Sequence, residues 1–376
     1  MTAGAGLYVH LPFCRSRCGY CAFVVTTDDS VREAYLSALE RESGIAGGEA
    51  HGCSFDTVYL GGGTPSWLPP EGIARLLDAL RRDFAVETDA EITLEANPDD
   101  VSSERVASWK AAGATRVSLG VQSFQDRELA AIGRRHDAAD AARALDLLLR
   151  SDLRVSGDLI LGLPEQTAES FRESAARLAG SGALHVSVYL LEAEKSRTIE
   201  EDRSRHPDRY LGDDAQADLW LDLSEMLGRR GFQHYEISNW CREGEAARHN
   251  LKYWTRQPTL GLGVSAHELW EERRRANVSA IPAYLAALGE NRRPTALDQP
   301  LGPDEQARER IVLGLRLSEG VDAREVDEWV GTKGDDLLAT DYARWEEANW
   351  IARTTDRVRL TERGFLVSNE ILCRFI

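Results

Sequence analysis

The sequence predicts an α/β chain folded as an incomplete (β/α)6 TIM-like barrel, followed by a winged-helix-like α+β extension. Two observations predict the barrel. Six short apolar, often β-branched runs occupy the first half, and amphipathic stretches with helical spacing separate them. A third observation predicts the extension, because beyond residue 300 helical patterns give way to a single hairpin-like segment.

The six runs are residues 7–11, 57–60, 91–96, 116–121, 158–161 and 186–191. Between them, Pro70 to Phe84 carries Ile73, Leu76, Leu77 and Leu80 at helical spacing, and Ala138 to Leu149 repeats the pattern. Such alternation implies right-handed βαβ crossovers and a parallel sheet. Strands lacking clean alternation fit a sheet covered on both faces. Polar, glycine-rich or cysteine-rich residues close the first five strands: the Cys14 loop, Gly61-Gly62-Gly63-Thr64-Pro65, Glu95-Ala96-Asn97-Pro98, Gln122-Ser123-Phe124 and Gly162-Leu163-Pro164. In barrels, functional groups gather at these carboxyl ends. Six strands imply a wide mouth suited to a large ligand, and an open doubly wound sheet is the alternative.

After Glu192 the pattern changes. Residues 193–212 read as a charged loop, followed by a helix near Gln216 to Arg229, and Tyr235 to His267 is dense in Trp, Asn, Gly and His. Helices are expected around Glu305 to Leu317 and Asp335 to Ala348, then a hairpin from Ile351 to Thr361 and a last helix from Arg363 to Leu372. The chain thus divides into a core barrel (1–235), a connecting segment (236–300) and a C-terminal unit (301–376).

Composition narrows the function. The 376 residues are 43% hydrophobic and 28% charged, enough for a packed core, and the net charge of -17 argues against nucleic acid or anionic membrane as a partner. No apolar run approaches the roughly 18 residues of a membrane span. Met1 to Gly6 lacks the basic region and apolar core of a targeting segment, so a cytoplasmic protein is expected. Three of the six cysteines crowd between positions 14 and 21, which reads as metal ligation more than as disulfides.

The run Cys14-Arg15-Ser16-Arg17-Cys18-Gly19-Tyr20-Cys21 has CxxxCxxC spacing and follows the first strand. Three thiolates on one short loop can hold three corners of an iron–sulfur cubane, leaving one iron open for chemistry. Zinc with His10 as fourth ligand is the structural alternative. Phe13, Tyr20 and Phe23 would flank the group and limit water access.

This motif resembles the radical-SAM signature. Residues 8–14, 61–66, 120–124 and 158–164 (YVHLPFC, GGGTPS, GVQSF, DLILGLP) further resemble the HemN/HemW group, which holds oxygen-independent coproporphyrinogen III dehydrogenases and heme chaperones. The resemblance runs from Leu7 to Leu366. It implies a radical-SAM barrel with a HemN-like C-terminal extension, and a [4Fe–4S] cluster on Cys14, Cys18 and Cys21. It further implies S-adenosylmethionine (SAM) chelated at the open iron, with contacts from Tyr8, Gly62, Gly63, Thr64, Glu95, Gln122, Arg134 and Asp158. Glycines allow close backbone approach, short acceptors suit ribose and amino donors, and the Arg134 guanidinium suits a carboxylate.

Within the group, the dehydrogenases resemble CxxxCxxCxC and carry a long segment ahead of the cluster. Here Phe23 stands at the fourth cysteine's position, and residues 1–13 alone precede Cys14. The string Tyr235-Glu236-Ile237-Ser238-Asn239-Trp240 and the HNxxYW run His249-Asn250-Leu251-Lys252-Tyr253-Trp254 are similar to the chaperone branch. Ala22, often Asp there, and Val264-Ser265, in place of Ala-Gly, depart from it. The expected function is a heme chaperone that delivers heme to hemoproteins. A flavodoxin or ferredoxin could serve as electron donor. The alternatives are the dehydrogenase and a HemN-like methyltransferase. His249 and His267 are the candidate heme ligands, with Cys241 third, and Cys53 and Cys373 are expected to be inert buried thiols. Gly261 to Ala266 imitates a dinucleotide fingerprint but lacks the following βαβ unit.

Overall fold

The computed structural model describes residues 4–333 and 336–375; Met1 to Ala3 and Asp335, which enter the expectations above, lie outside the described residues. Strands β1 (Ala5–Leu11), β2 (Ser54–Gly62), β3 (Ala85–Ala96), β4 (Arg116–Gln122), β5 (Arg154–Leu161) and β6 (His185–Leu190) pair in sequence order, all parallel. A doubly wound sheet would reverse its order at a switch point, whereas sequential order is that of a barrel. All six expected strands are present.

Helices α1 (Arg32–Glu49), α2 (Pro70–Asp83), α3 (Ser103–Ala112), α4 (Asp126–Ala131), α5 (Ala138–Leu149) and α6 (Ala168–Gly180) connect them. In α2 the residues Ile73, Leu76, Leu77 and Leu80 are all buried, as their spacing requires, and Pro70 opens the helix where its missing N–H costs nothing. A reciprocal capping box starts α5: Asp140 N–H donates to Asp137 Oδ1 at 2.7 Å and Asp137 N–H to Asp140 Oδ2 at 3.1 Å.

The strands do alternate, although both faces are covered. Val58, Leu60, Ile92, Leu94, Val117, Leu119, Val155, Val186 and Val188 are buried in the hydrophobic core. The opposite face carries Thr57 and, meeting each other across neighbouring strands, Tyr59, Glu91, Glu95, Arg116, Ser118, Ser156, Asp158, His185 and Ser187. The barrel interior is therefore polar, unlike the apolar filling of a closed eight-stranded barrel.

Beyond β6 the structure departs from the sequence reading. The 193–212 segment holds a helix, α7 (Arg197–Arg205), before α8 (Asp213–Arg229). Next come β7 (Gln233–Glu236), β8 (Asn239–Cys241), α9 (Arg248–Trp254), β9 (Thr259–Leu262), β10 (His267–Trp270), β11 (Arg273–Asn277), α10 (Ile281–Gly289) and β12 (Thr295–Pro300). The 236–300 segment extends the sheet at both edges: β8 pairs antiparallel with β6, and β9 pairs parallel with β1, giving twelve strands. Gly261 to Val264 is part of this packing, with Gly263 N–H donating to Glu42 Oε2 at 2.7 Å and Val264 N–H to the Tyr35 hydroxyl at 2.9 Å.

The C-terminal part contains α11 (Pro303–Gly314), β13 (Val321–Asp322), α12 (Ala323–Lys333), α13 (Asp336–Glu347), the hairpin β14 (Ile351–Arg353) and β15 (Arg357–Leu360), α14 (Glu362–Leu366) and α15 (Ser368–Leu372). Helix α12 is additional to the expectation, and the single last helix is two, divided at Val367. Ile311, Leu315, Val326, Trp345 and Phe365 belong to a second hydrophobic core there. Among the described residues no helix is long and apolar enough to cross a membrane.

Candidate cluster and cofactor site

The carboxyl ends of the parallel strands open into a cavity of about 550 Å³. Cys14, Cys18 and Cys21 line it, and so do Gly62, Gly63, Thr64, Glu95, Gln122, Arg134 and Asp158. Of the sequence-expected SAM contacts Tyr8 alone stands back, its ring centroid 6.2 Å from that of Tyr59, which itself lines the cavity.

The cysteine loop is fixed by its neighbours. Cys14 N–H donates to Thr26 O at 2.9 Å, and the Thr64 hydroxyl donates to Cys14 Sγ at 3.3 Å. Arg134 reaches Cys18 Sγ through Nη1 at 3.7 Å. Burial pushes the Cys14 thiol up to about 11 and also raises Cys21. Thiolates there need a cation to stabilise them, which the iron of a cluster would supply. Among the described residues no three His, Cys, Asp or Glu side chains converge on a single metal ion. A cubane presents a separate iron corner to each thiol, so the donor set fits it. His10, the fourth ligand of the zinc alternative, has both ring nitrogens engaged: Nε2 with Val24 O at 2.8 Å and Nδ1 with the Tyr8 hydroxyl at 3.0 Å.

The glycine turn works differently from its sequence reading. A Cβ on Gly63 would stand 2.6 Å from Leu11 O and 2.7 Å from the Pro12 carbonyl carbon. The absent side chain thus makes room for the chain's own backbone ahead of Cys14.

Glu95 and Asp158 are among the carboxyls that line the cavity. Glu95 accepts from the Tyr59 hydroxyl at 2.8 Å and from Gly62 N–H at 3.1 Å. Burial, with a smaller contribution from Asp158, raises it to about 7. Asp158 accepts from the Ser118 hydroxyl at 3.0 and 3.1 Å, and burial raises it to about 6. For both, an arriving cation or hydrogen-bond donor would favour the charged form.

Arg134 Nη2 donates to Asn97 Oδ1 at 2.7 Å and Gly120 O at 2.8 Å, and its buried Nε has no partner. Burial opposes its charge, but Tyr20 and Cys18 beside it hold its proton more tightly than usual. The neighbouring Arg135 pairs instead with Asp99 at 3.5 Å.

Several site residues escaped the sequence reading. Asn97 bridges Arg134 and Thr64, donating to Thr64 Oγ1 at 3.2 Å. Ser118, Tyr59, His136 and Tyr189 also line the cavity. Asn97 lies in the quoted strand-end segment, so its position was visible even though its role was not.

The candidate heme ligands lie elsewhere. His249 is fully buried in α9, with Nδ1 bonded to Thr57 Oγ1 at 2.8 Å and Nε2 to the Tyr253 hydroxyl at 2.9 Å. Both ring nitrogens of this candidate heme ligand are therefore engaged by neighbouring hydroxyls. His267 is exposed at the start of β10 and does not line the cavity. Cys241 is buried within β8. Cys53 and Cys373 are exposed, not buried as expected, because they fall at a turn and in the last helical turn of the chain.

Comparison with known proteins matches residues 8–178 to the Radical SAM superfamily and 301–367 to the HemN C-terminal domain. The chain is 34% identical to the protein named heme chaperone HemW of Synechocystis sp., over 97% of this chain and 94% of that one. It is also 34% identical to the Mycobacterium tuberculosis protein of the same name, over 98% and 93%. Among solved structures, coproporphyrinogen III oxidase (HemN) from Escherichia coli superposes with a TM-score of 0.86, covering 99% of this chain and 90% of that one; at 23% identity this shows the shared fold. With the thiol loop, the strand-end cavity and 34% identity over nearly the whole chain in agreement, the chain belongs to the HemW family of HemN-like radical-SAM proteins.

Proposed function

We propose that the chain is a heme chaperone that binds heme at the cavity mouth and passes it to hemoproteins, with Cys14, Cys18 and Cys21 holding a [4Fe–4S] cluster beside bound SAM. One observation carries the heme reading. Of the four exposed large hydrophobic residues among those described, Phe23 (67%), Tyr189 (44%) and Leu190 (39%) all line the cluster cavity. An apolar rim on this cavity suits a flat, largely apolar macrocycle. The name of the relatives, heme chaperone HemW, supports the same reading.

When bound, the cluster supplies an open iron and an electron. The chain's own residues bind and orient. Glu95 and Asp158 accept from the ribose and amino donors of SAM, Gln122 adds a polar contact, and Arg134 brings positive charge to its carboxylate. Gly62, Gly63 and Thr64 shape the wall, and Tyr8 backs it through Tyr59. Phe23 stands where the dehydrogenases resembled by this sequence have a further cysteine, which removes a thiol from the mouth and adds apolar surface.

The test is anaerobic. Cluster-reconstituted protein is offered heme and, separately, coproporphyrinogen III with SAM and a reductant such as flavodoxin. Stoichiometric heme binding without carbon dioxide release supports the chaperone. Release of carbon dioxide with protoporphyrinogen formation overturns it.

A further inference from the structure

The HNxxYW segment lies at the opposite end of the barrel from the cysteines. Its helix α9 meets the amino ends of the parallel strands. Lys252 Nζ donates to Gly4 O at 2.6 Å, Arg248 pairs with Asp56 at 3.0 Å, and His249 N–H donates to Glu91 Oε1 at 3.1 Å. The segment just before it accepts from Arg116, the first residue of β4, at Glu245 O and 3.3 Å. These contacts make α9 a stopper in the floor.

From this floor a column of side chains rises toward the site. Thr57 holds His249 Nδ1 at 2.8 Å, and Tyr253 holds Nε2 at 2.9 Å, which fixes the imidazole plane. That ring stacks on Tyr59, with centroids 5.3 Å apart and planes inclined by 28°. The Tyr59 hydroxyl donates to Glu95 Oε1 at 2.8 Å. Above Tyr59 there is no slack, since a Cβ on Gly61 would stand 2.8 Å from its ring and 3.0 Å from the Glu95 carboxyl. Burial holds His249 neutral, with its affinity for a proton lowered to about 3, so the column carries no charge of its own beneath Glu95.

We infer that His249 is a positioning residue for Glu95, acting through the stacked Tyr59 ring, and that the HNxxYW segment serves the SAM end of the cavity from below. Heme is bound without it. The inference rests on the reading above that Glu95 contacts SAM.

Two substitutions test it in cluster-reconstituted, full-length protein. His249→Phe keeps a ring for stacking but cuts both hydrogen bonds, and Tyr59→Phe cuts the link to Glu95 alone. SAM affinity is measured by anaerobic equilibrium dialysis across pH, and heme binding by its visible spectrum. Tyr59→Phe withdraws a bond to the charged carboxylate, and His249→Phe frees the ring that holds Tyr59 in place, so both variants should weaken SAM binding by roughly tenfold or more and move its pH midpoint upward, with heme stoichiometry and spectrum unchanged. A folded His249→Phe protein with the wild-type affinity and midpoint overturns the inference. So does one that loses the heme spectrum while keeping the SAM midpoint. Should His249→Phe fail to fold, Tyr253→Phe takes its place: a raised midpoint supports the inference and an unchanged one overturns it. Wild-type protein that binds no SAM overturns the reading of the site itself.

Discussion

Glu95 offers the most quantitative test of the cofactor pocket. Its carboxyl is raised to about 7 by burial and by the neighbouring Asp158, which itself lies at about 6. If SAM binds the charged forms, the charged fraction of Glu95 sets the affinity. Between about pH 6 and about pH 8 that fraction rises roughly tenfold, and that of Asp158 about twofold. Wild-type affinity should therefore rise about twentyfold over this range. Glu95→Gln removes the first contribution and leaves about a twofold rise. At the upper pH it should also weaken binding by about 1.5–3 kcal/mol, the worth of a hydrogen bond to a charged group. Ionisation of SAM itself is common to both proteins and cancels in their ratio. The assay is equilibrium dialysis of SAM against anaerobic, cluster-loaded protein. Parallel pH profiles for wild type and Glu95→Gln would refute the reasoning.

Three further outcomes follow from the same contacts. Phe23→Asp removes the most exposed apolar side chain at the mouth and should weaken heme binding at least tenfold, since burying such a side chain is worth about 1.5–3 kcal/mol, while SAM affinity stays unchanged. Spectroscopic titration with heme reads the first and dialysis the second. Gly63→Ala pushes a methyl against the Leu11 to Phe13 backbone and should destabilise the protein by about 1–3 kcal/mol in urea unfolding, lowering cluster occupancy. Glu95, Asp158 and Glu236 have folded-state values raised by burial to about 7, about 6 and about 7. Raised carboxyls stabilise the fold below their unfolded values near 4, and that stability is lost as pH climbs through the folded ones. The urea midpoint of cluster-free protein should accordingly fall between about pH 5 and about pH 8, and Glu95→Gln should flatten the fall.

The barrel was legible because its strands are written twice, in β-branched runs and in the polar segments that close them. The wall of the site was legible for the same reason: Gly62 to Thr64, Glu95, Gln122 and Asp158 sit at or near strand ends, where the fold itself gathers them. The edge strands β7 to β12 were not, because they are short and their pairing depends on β1 and β6, far away in sequence. Tyr59 and Ser118 were hidden for a different reason. Each reads as an ordinary strand residue until the inward face of the barrel proves polar. His249 illustrates the opposite case. Its motif marks it, but a chemically able side chain is informative about ligands only when its nitrogens are free, and Thr57 and Tyr253 occupy both. The exposed rim of Phe23, Tyr189 and Leu190 joins the cysteine loop to the end of β6, a juxtaposition no local pattern encodes.

The central claim is that Cys14, Cys18 and Cys21 hold three corners of a cubane and leave the fourth open to SAM. Electron paramagnetic resonance of the reduced, anaerobically reconstituted protein, recorded before and after SAM is added, tests it directly. The account predicts a [4Fe–4S] signal that changes on adding SAM and is absent when all three cysteines are serine. A signal indifferent to SAM, or one that survives the triple substitution, would contradict it.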